Sequence, residues 1–273
     1  MIPASFDYVR AESVDEAVAA LSEHGDDAKL LAGGMSLLPL MKLRLATPTV
    51  LIDVGRVREL SYVRDAGDHL AIGALTRHRD LETDNLLAEE CDSLRTVASE
   101  VGDNQVRHRG TIGGSVAHGD PASDLPALLL ALDATFVVRG SSGERTIGAG
   151  EFFQGFLETA LEPDELLTEI RVPKLPGAGF SYQKFQRRAQ DWAIVGAMAV
   201  RNGDTRVALV NMGGTPLRAA GVEEALAGGS PLSEAAERAA EGTEAPADLN
   251  ATPEYREHLA RVLVRRALET ASG

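Results

Sequence analysis

The chain has 273 residues, enough for about two domains, and its 44% hydrophobic and 25% charged residues exclude wholesale disorder and collagen-like structure. Its 27 basic and 41 acidic residues give a net charge of −14, and no run of Lys or Arg forms a positive patch, so we expect no nucleic acid partner. The single cysteine, Cys91, excludes a disulfide framework and any iron–sulfur cluster held by this chain alone.

The first part of the chain alternates short strands with helices. The sequence Ser13-Val14-Asp15-Glu16 predicts a capping box. In it, the Ser13 side chain accepts a hydrogen bond from a free N–H of the first helical turn, and the Glu16 side chain bonds to the cap residue. Gly25 ends this helix, and the pair Gly33-Gly34 stands where the second strand passes into a helix that Ser36 can cap. Strands are predicted at residues 8–11, 29–32 and 50–54. The predicted order is therefore β-α-β-α-β.

The middle of the chain predicts a hairpin followed by mixed helices and strands. Asp65-Ala66-Gly67-Asp68 forms the hairpin turn between residues 62–64 and 70–73. Thr76 is expected to cap a helix. Asp120-Pro121 predicts the cap and the first-turn proline of a second helix, which contains the apolar run 125–132. A further helix is predicted near residues 93–101, and strands at 135–138 and 166–172.

Two prolines and two glycines between Pro173 and Gly179 predict a domain boundary. We expect an N-terminal domain at residues 1–175, with subdomains at about 1–57 and 58–175, and a C-terminal domain at 176–273. Within the latter, Asn202-Gly203-Asp204 predicts a hairpin turn, and Thr252-Pro253-Glu254 starts a last helix. The stretch 228–247, rich in Ala, Glu and Gly, is expected to be exposed and loosely held.

Two glycine pairs are candidates for ligand binding, Gly33-Gly34 and Gly113-Gly114. Glycine lets backbone N–H groups approach a ligand closely, and converging N–H groups form a cradle for an anion, with Arg107 and Arg109 as candidate helpers. A tight turn or close strand packing is the favoured explanation of either pair when it is considered alone. If the N–H groups do bind an anion, Gly33→Val or Gly113→Val should abolish binding while leaving much of the fold.

The chain lacks the motifs of several common enzyme classes. It has no G-x-G-x-x-G after the first strand, no Gly-Lys-Ser/Thr phosphate loop, no H-E-x-x-H and no G-x-S-x-G. An ordinary Rossmann site and nucleotide hydrolysis are therefore unsupported. His118, Asp120 and Asp124 lie close in sequence and suggest a metal, but capping and loop hydrogen bonds explain them better, and Cys91 is expected to be a buried small hydrophobe.

The chain resembles the FAD-binding medium subunits of molybdenum hydroxylases, a family that includes aerobic carbon monoxide dehydrogenase and xanthine dehydrogenase. The resemblance is carried by four stretches in the right order, residues 31–44, 72–78, 102–114 and 117–126. It implies an α+β fold: a two-subdomain FAD-binding domain of the vanillyl-alcohol-oxidase (PCMH) type, then a smaller C-terminal domain with a short antiparallel sheet and a helix bundle. Met35 occupies a position where the family commonly has Gln or His, and Ser115 one where it commonly has Asn. These two departures put a side-chain contact with the ligand in doubt, but not the cradle of backbone N–H groups.

The resemblance also implies a set of cofactor-binding residues. The FAD pyrophosphate would lie against two segments, Ala32, Gly33, Gly34, Met35 and Ser36 and then Thr111, Ile112, Gly113, Gly114 and Ser115. Asp124 would bind the flavin nucleotide, and Leu167 would pack on the isoalloxazine ring, although it could equally be a core residue. Lys184 would stabilise negative charge on reduced flavin; the alternative is a solvated lysine. Trp192 would shield or gate the ring; the alternative is ordinary packing at the domain junction.

By the same resemblance, partner subunits carry the other cofactors. A large subunit would hold molybdopterin and a small subunit two [2Fe-2S] clusters, in a dimer of heterotrimers, with quinone or NAD as electron acceptor. Because no apolar run is long enough to cross a bilayer, we expect a cytoplasmic protein whose only membrane attachment is through the complex.

The carbon monoxide dehydrogenase type is favoured within the family. A medium subunit of a xanthine, aldehyde or N-heterocycle dehydrogenase is the alternative. A free-standing flavin oxidase and a binding module that has lost its cofactor are further alternatives.

Overall fold

The computed structural model describes residues 2–272; Met1 and Gly273, which begin and end the two predicted domains, lie outside the described residues. The strands are β1 (Asp7–Arg10), β2 (Ala28–Leu31), β3 (Val50–Asp53), β4 (Val63–Asp65), β5 (His69–Gly73), β6 (Thr135–Gly140), β7 (Gly143–Gly148), β8 (Phe153–Gly155), β9 (Glu158–Thr159), β10 (Leu166–Pro173), β11 (Gly179–Phe185), β12 (Val195–Asn202), β13 (Asp204–Val210) and β14 (Leu217–Arg218). The helices are α1 (Val14–His24), α2 (Leu37–Lys42), α3 (His78–Thr83), α4 (Asn85–Glu90), α5 (Asp92–Ser99), α6 (Asn104–Arg109), α7 (Ile112–His118), α8 (Asp124–Ala131), α9 (Ala149–Phe152), α10 (Ala220–Ala227), α11 (Leu232–Glu237) and α12 (Pro253–Ala271).

An N-terminal sheet has three parallel strands in the order β1-β3-β2. Strands joined through helices can run parallel, because the helix returns the chain to the same edge. As predicted, α1 begins after Ser13, whose Oγ accepts the N–H of Glu16 at 3.2 Å, and it ends at Gly25 with φ 53°. The Glu16 carboxylate, however, accepts the N–H of Glu12 at 2.8 Å rather than that of the cap residue.

A central sheet has five antiparallel strands in the order β4-β5-β10-β6-β7. It carries the largest core, in which the rings of Phe136 and Phe152 pack edge to face with centroids 4.6 Å apart. All eight residues of α8 are buried, which is typical of a helix covered on every side. The remaining pair, β8 and β9, forms a small separate ribbon.

A C-terminal sheet has four antiparallel strands in the order β11-β12-β13-β14, and β12 and β13 are buried on both faces. One face packs into the core of the central sheet through Met198, Val200, Ala208 and Val210. The other face packs under α10, α11 and α12 through alternate residues such as Ala197. No helix between residues 2 and 272 has the length and apolar character needed to span a membrane.

Three local predictions were wrong. Thr76 does not cap a helix, because its Oγ1 bonds to the backbone O and N of Tyr62 at 2.9 and 3.1 Å, and α3 begins only at His78. The helix predicted from Asp120-Pro121 begins at Asp124, since Asp120 accepts the N–H of Ala122 in a turn. The stretch 228–247 is not uniformly exposed, because α11 buries alanines against the C-terminal core.

Candidate functional site

A cavity of about 680 Å³, here called the main cavity, receives residues from β2, β10 and β11, one strand of each larger sheet. Its volume falls within the roughly 300–1,000 Å³ of small-molecule and cofactor sites. Thirteen of the fourteen predicted binding residues line it: Ala32, Gly33, Gly34, Met35, Ser36, Thr111, Gly113, Gly114, Ser115, Asp124, Leu167, Lys184 and Trp192. The exception is Ile112, whose side chain is completely buried in the core. The structure therefore brings the predicted residues together, and their binding of FAD stays a prediction.

The first glycine segment supplies free hydrogen-bond donors. Within residues 2–272, the backbone N–H groups of Gly33, Gly34, Met35 and Ser36 have no protein acceptor. Gly34 has φ 74°, a conformation that favours glycine, and it turns the chain from β2 into α2. A Cβ at Gly33 would stand only 2.3 Å from the carbonyl oxygen of Arg109, so the loop lies directly against the end of α6. Four adjacent free N–H groups on residues that line a cavity suit an oxygen-rich anion.

The second glycine segment differs from the expectation of a second set of free donors. The N–H groups of residues 112–115 donate, in order, to the Thr76 carbonyl at 3.0 Å, the Ala74 carbonyl at 2.9 Å, the Thr111 hydroxyl at 3.1 Å and the Thr111 carbonyl at 3.0 Å. The two bonds to Thr111 belong to the first turn of α7, with Thr111 as its N-cap, and the other two tie this turn to residues 74–76. The second segment therefore contributes a closely packed wall, whereas the first contributes the donors.

Glycine is required in this wall for packing. A Cβ at Gly113 would lie 2.5 Å from the Cβ of Ala74 and 2.6 Å from its carbonyl oxygen, so α7 could not approach β5. A Cβ at Gly114 would lie 4.0 Å from the Cβ of Ala32, which shows that the two glycine segments meet at the cavity.

A buried charged cluster occupies another part of the main cavity. Lys184 Nζ donates to Asp124 Oδ2 at 2.8 Å and to the Glu100 carbonyl at 2.9 Å, and its side chain is only 6% exposed, so the alternative of a solvated lysine is wrong. The hydroxyl of Tyr182 donates to the other Asp124 oxygen. Burial raises the pKa of the Asp124 carboxyl, although the Lys184 charge acts in the opposite direction. Burial, and then the Asp124 charge, raise the pKa of Tyr182 well above its usual range.

Leu167 and Trp192 differ sharply in exposure. Leu167 is buried in the central core beside an irregularity in the pairing of β10 with β6, so its side chain serves packing as well as the cavity wall. Trp192 is 58% exposed, which makes it a poor packing residue and places an aromatic ring at the edge of the cavity.

The two arginines proposed as helpers do not line the main cavity. The Arg107 guanidinium instead bonds to Glu82 at 3.1 Å and to the carbonyls of Val101 and Gly102 at 3.3 and 3.0 Å. It therefore anchors the loop before α6. The Arg109 carbonyl accepts a hydrogen bond from Arg77 at 2.6 Å, so its backbone contributes to the wall of the glycine loop.

Sequence reasoning considered His118 only as a metal candidate and gave His78 and Tyr182 no role in the cavity. His78 and His118 line the main cavity, and burial followed by the charge of Arg107 lowers the pKa of His78 to about 4, so this imidazole is neutral at pH 7. Burial also lowers the pKa of His118. His78 ends a stretch already singled out, residues 72–78, and Tyr182 lies two residues before Lys184, on the same face of β11. Both positions were available as signals.

These features fit the flavin dinucleotide implied by the resemblance. The free N–H groups of residues 33–36 suit a diphosphate, and Lys184 supplies a positive charge within the same cavity. Among the described residues, no group of three or more His, Cys, Asp or Glu side chains could hold a metal ion, and Asp120 has the loop role described above. Cys91 is buried, as expected.

Comparison with known proteins shows the family. The family described as FAD binding domain in molybdopterin dehydrogenase matches residues 4–175, and the family described as CO dehydrogenase flavoprotein C-terminal domain matches residues 180–271. The carbon monoxide dehydrogenase medium chain of Hydrogenophaga pseudoflava is 43% identical over 99% of this chain and 98% of its own length. Subunit alpha of the 6-hydroxypseudooxynicotine dehydrogenase complex of Paenarthrobacter nicotinovorans is 38% identical over 99% of this chain and 96% of its own length.

A solved structure has the same fold. The carbon monoxide dehydrogenase from Hydrogenophaga pseudoflava that lacks the Mo-pyranopterin moiety of its cofactor superposes with a TM-score of 0.96, covering 100% of this chain and 99% of that one. The predicted α+β, PCMH-type fold with a further C-terminal domain is therefore confirmed. Together with the main cavity and the two family matches, these relatives show that the chain belongs to the FAD-binding medium subunits of the molybdenum hydroxylases, and is an oxidoreductase subunit.

Proposed function

We propose that this chain holds FAD in the main cavity and passes electrons from the [2Fe-2S] clusters of a small partner subunit to an external acceptor. The large partner would carry molybdopterin and oxidise the substrate, and the whole would be a dimer of heterotrimers. The observation that carries the proposal is the free donor loop at residues 33–36, which faces the same cavity as the Asp124–Lys184 pair. The family supplies the expectation that the two belong to one FAD site.

FAD supplies the redox chemistry when bound, because it can take up electrons singly and release them singly or as a pair. The chain's own residues bind and orient it. The N–H groups of residues 33–36 would donate to the diphosphate, and the closely packed wall at 113–114 would border it.

Lys184 has a defined place in this arrangement. An ammonium group has three N–H donors, and two are taken by Asp124 and the Glu100 carbonyl. The third remains for an acceptor on the ligand. Its positive charge favours added negative charge on a reduced ring, and the Asp124 carboxylate holds that charge in position.

The division of labour among subunits follows from the cysteine content. Two [2Fe-2S] clusters need eight ligands, commonly thiolates, and the chain has one cysteine, so the clusters must belong to a partner. Carbon monoxide is the proposed substrate because a relative named carbon monoxide dehydrogenase medium chain is 43% identical to this chain. A relative named for a nicotine derivative follows at 38%, so the substrate must be tested directly.

A charge substitution at Met35 tests the cofactor site. Met35 is partly exposed and lines the main cavity beside the free donors. Met35→Glu would place a carboxylate near the diphosphate, and a repulsion of about 1–4 kcal/mol should weaken FAD binding roughly tenfold or more. Met35→Gln, of the same shape but neutral, should bind FAD as the parent does. Titration of the FAD-free chain with FAD measures both, and equal affinities would show that this loop does not hold the phosphates.

Electron transfer needs the assembled complex. Anaerobic addition of carbon monoxide to the complex should reduce the iron–sulfur clusters, the FAD and then an added acceptor. A complex that contains Met35→Glu without FAD should reduce only the clusters. Acceptor reduction at the normal rate without FAD would contradict the proposal. Turnover by the isolated chain would support a free-standing oxidase instead, and a response to a purine, an aldehyde or an N-heterocycle but not to carbon monoxide would reassign the substrate.

A further inference from the structure

A short backbone pairing lies beside the free donor loop at residues 33–36. Residues 76–78 pair with residues 110–112, where Arg77 and Thr111 form an antiparallel bridge. Hydrogen bonds of 3.1 and 3.0 Å lie on the two sides of this bridge. The segment that carries Arg77 therefore holds the start of the second glycine segment in place.

The side chain of Arg77 bonds to the end of α6. Its guanidinium donates to the backbone carbonyl of Arg109 at 2.6 Å. Arg109 is the last residue of α6, and carbonyl groups at the C-terminal end of a helix have no donor inside the helix. Within residues 2–272, Arg77 supplies the only hydrogen bond to this carbonyl. Arg77 thus caps α6 with a positive charge, which is favourable at a helix C-terminus.

The capped carbonyl touches the free donor loop. A Cβ at Gly33 would stand 2.3 Å from the Arg109 carbonyl oxygen and 2.9 Å from its carbon, so the two backbones are in contact. The oxygen of a helix-terminal carbonyl carries a partial negative charge, which opposes the binding of an anion nearby. The guanidinium of Arg77 offsets this partial charge at the loop that has the free N–H groups.

Two guanidinium groups without a carboxylate partner lie at this place. Burial, and then the charge of Arg109, lower the pKa of Arg77, whereas the charge of Asp80 acts in the opposite direction. Within the described residues 2–272, neither Arg77 nor Arg109 donates to a carboxylate. By contrast, Arg79 is paired with Glu82 at 3.0 Å. The unpaired charges therefore make the potential beside the free donor loop more positive, although the whole chain is acidic.

We propose that Arg77 is a positioning residue for the FAD diphosphate: it holds the Arg109 carbonyl against Gly33 and supplies positive charge beside the free donor loop. The inference rests on the proposed function, which places the diphosphate at that loop. Arg77 does not line the main cavity, so it acts through the loop and not by contact with the ligand.

Titration of the FAD-free chain with FAD tests this role. Arg77→Met keeps an apolar stem but removes the charge and the donor, so it should weaken FAD binding about tenfold at low salt. Arg77→Lys keeps a positive charge and an N–H donor, and it should lose no more than about threefold. Arg79→Met is the matched control, because it removes one positive charge from the next turn of the chain and should bind FAD as the parent does.

The dependence on salt separates an electrostatic role from a purely structural one. Salt screens charges that are partly exposed, as Arg77 is. The difference in FAD affinity between the parent and Arg77→Met should therefore fall from about tenfold at about 0.02 M salt to less than about fivefold at about 0.5 M. A purely structural defect would leave the same difference at both salt concentrations. Urea unfolding of each FAD-free variant shows whether its fold is intact.

Four outcomes would overturn the inference: equal FAD affinities for the parent and Arg77→Met, an equal loss in Arg79→Met, a loss that salt does not change, or a loss in Arg77→Lys as large as that in Arg77→Met. If Arg77→Met does not fold, Arg77→Gln, which is also neutral, takes its place with the same expected results. The parent separates this test from the proposed function. A parent chain that binds no FAD fails the proposed function, whereas a parent that binds FAD no better than the neutral variant refutes the positioning role alone.

Discussion

Replacement of Lys184 by Met should destabilise the chain in a way that depends on pH. Both side chains of the Lys184–Asp124 pair are more than nine-tenths buried, and they join β11 to α8. The substitution keeps the apolar stem but removes the charge and two hydrogen bonds. The carboxylate of Asp124 would then be buried without its cationic partner.

The size of the loss follows from what Asp124 retains. Breaking a buried ion pair by removing one partner costs about 3–5 kcal/mol. The Tyr182 hydroxyl still donates to Asp124 in the variant, so we expect the lower limit, about 3 kcal/mol at neutral pH. Lys174→Met is the matched control, because its ion pair with Asp65 is partly exposed and should contribute no more than about 1 kcal/mol.

The sign of the pH dependence is fixed by the carboxyl group. Burial already raises the pKa of Asp124, and loss of the lysine charge raises it further. A group whose pKa is raised by folding stabilises the protein when protonated, and that contribution is lost as pH rises through the folded pKa. The deficit of Lys184→Met should therefore be larger near about pH 8 than near about pH 5.

Urea unfolding of the FAD-free chain at both pH values measures these differences for the parent and the two variants. A loss below about 1 kcal/mol, or a loss that is the same at both pH values, would refute the argument that the buried carboxylate depends on the lysine.

Three further predictions concern packing and titration. Gly113→Ala should destabilise the fold by about 2–3 kcal/mol in urea because its Cβ would strike Ala74, while Gly148→Ala, with nothing within 4 Å, should cost less than about 1 kcal/mol; equal losses would show that α7 can move away from β5. Burial raises the pKa of the Cys91 thiol, so it should resist alkylation in the folded chain and react fully in urea; rapid labelling of the native protein would contradict its burial. Folding lowers the pKa of His78 from its usual 6.5 to about 4, so the folded state is favoured when this imidazole is neutral. The resulting free energy of unfolding is present above about pH 6.5 and is lost as the pH falls toward 4, to a limit of about 3 kcal/mol. His78→Met should remove this part of the acid sensitivity. Identical acid profiles for parent and variant would show that His78 is not the group responsible.

The positions lining the main cavity could be predicted well because they belong to contiguous motifs. Residues 32–36 all line it, since they form one short loop between β2 and α2. Ile112 does not, because residues 112–118 form a helix whose positions 112 and 116 share a buried face. The chemical role of the second segment was harder to predict, since its N–H groups are consumed by partners such as Ala74 that lie far away in sequence.

That result changes the expectation for one variant. From the sequence alone, Gly113→Val is expected to abolish ligand binding while leaving much of the fold, but the contact with Ala74 predicts loss of the fold as well. Gly33 has the same difficulty, because its neighbour is the backbone of Arg109. Substitutions at Met35 therefore test ligand binding more cleanly.

The cluster of Asp124, Tyr182 and Lys184 could not be assembled from the sequence. Tyr182 and Lys184 lie 58 and 60 residues after Asp124, and only the packing of β11 against the start of α8 brings them to it. Thr76 shows the same limit of sequence-based prediction on a smaller scale. Threonine often caps helices, but the Thr76 hydroxyl instead forms a hydrogen bond to the backbone of Tyr62. The predicted division at 175/176 stays a prediction.

The C-terminal sheet has a consequence for engineering. One face of this sheet packs into the core of the central sheet, and the other packs into the core under α12. Its side chains must therefore fit both of these cores. A chimaera that joins the first 175 residues of this subunit to the remainder of a relative would set foreign side chains against α8. Compensating substitutions at Met198 or Val200 would then be needed to restore the fit. Recombination between such subunits should therefore succeed most readily as exchange of the entire chain.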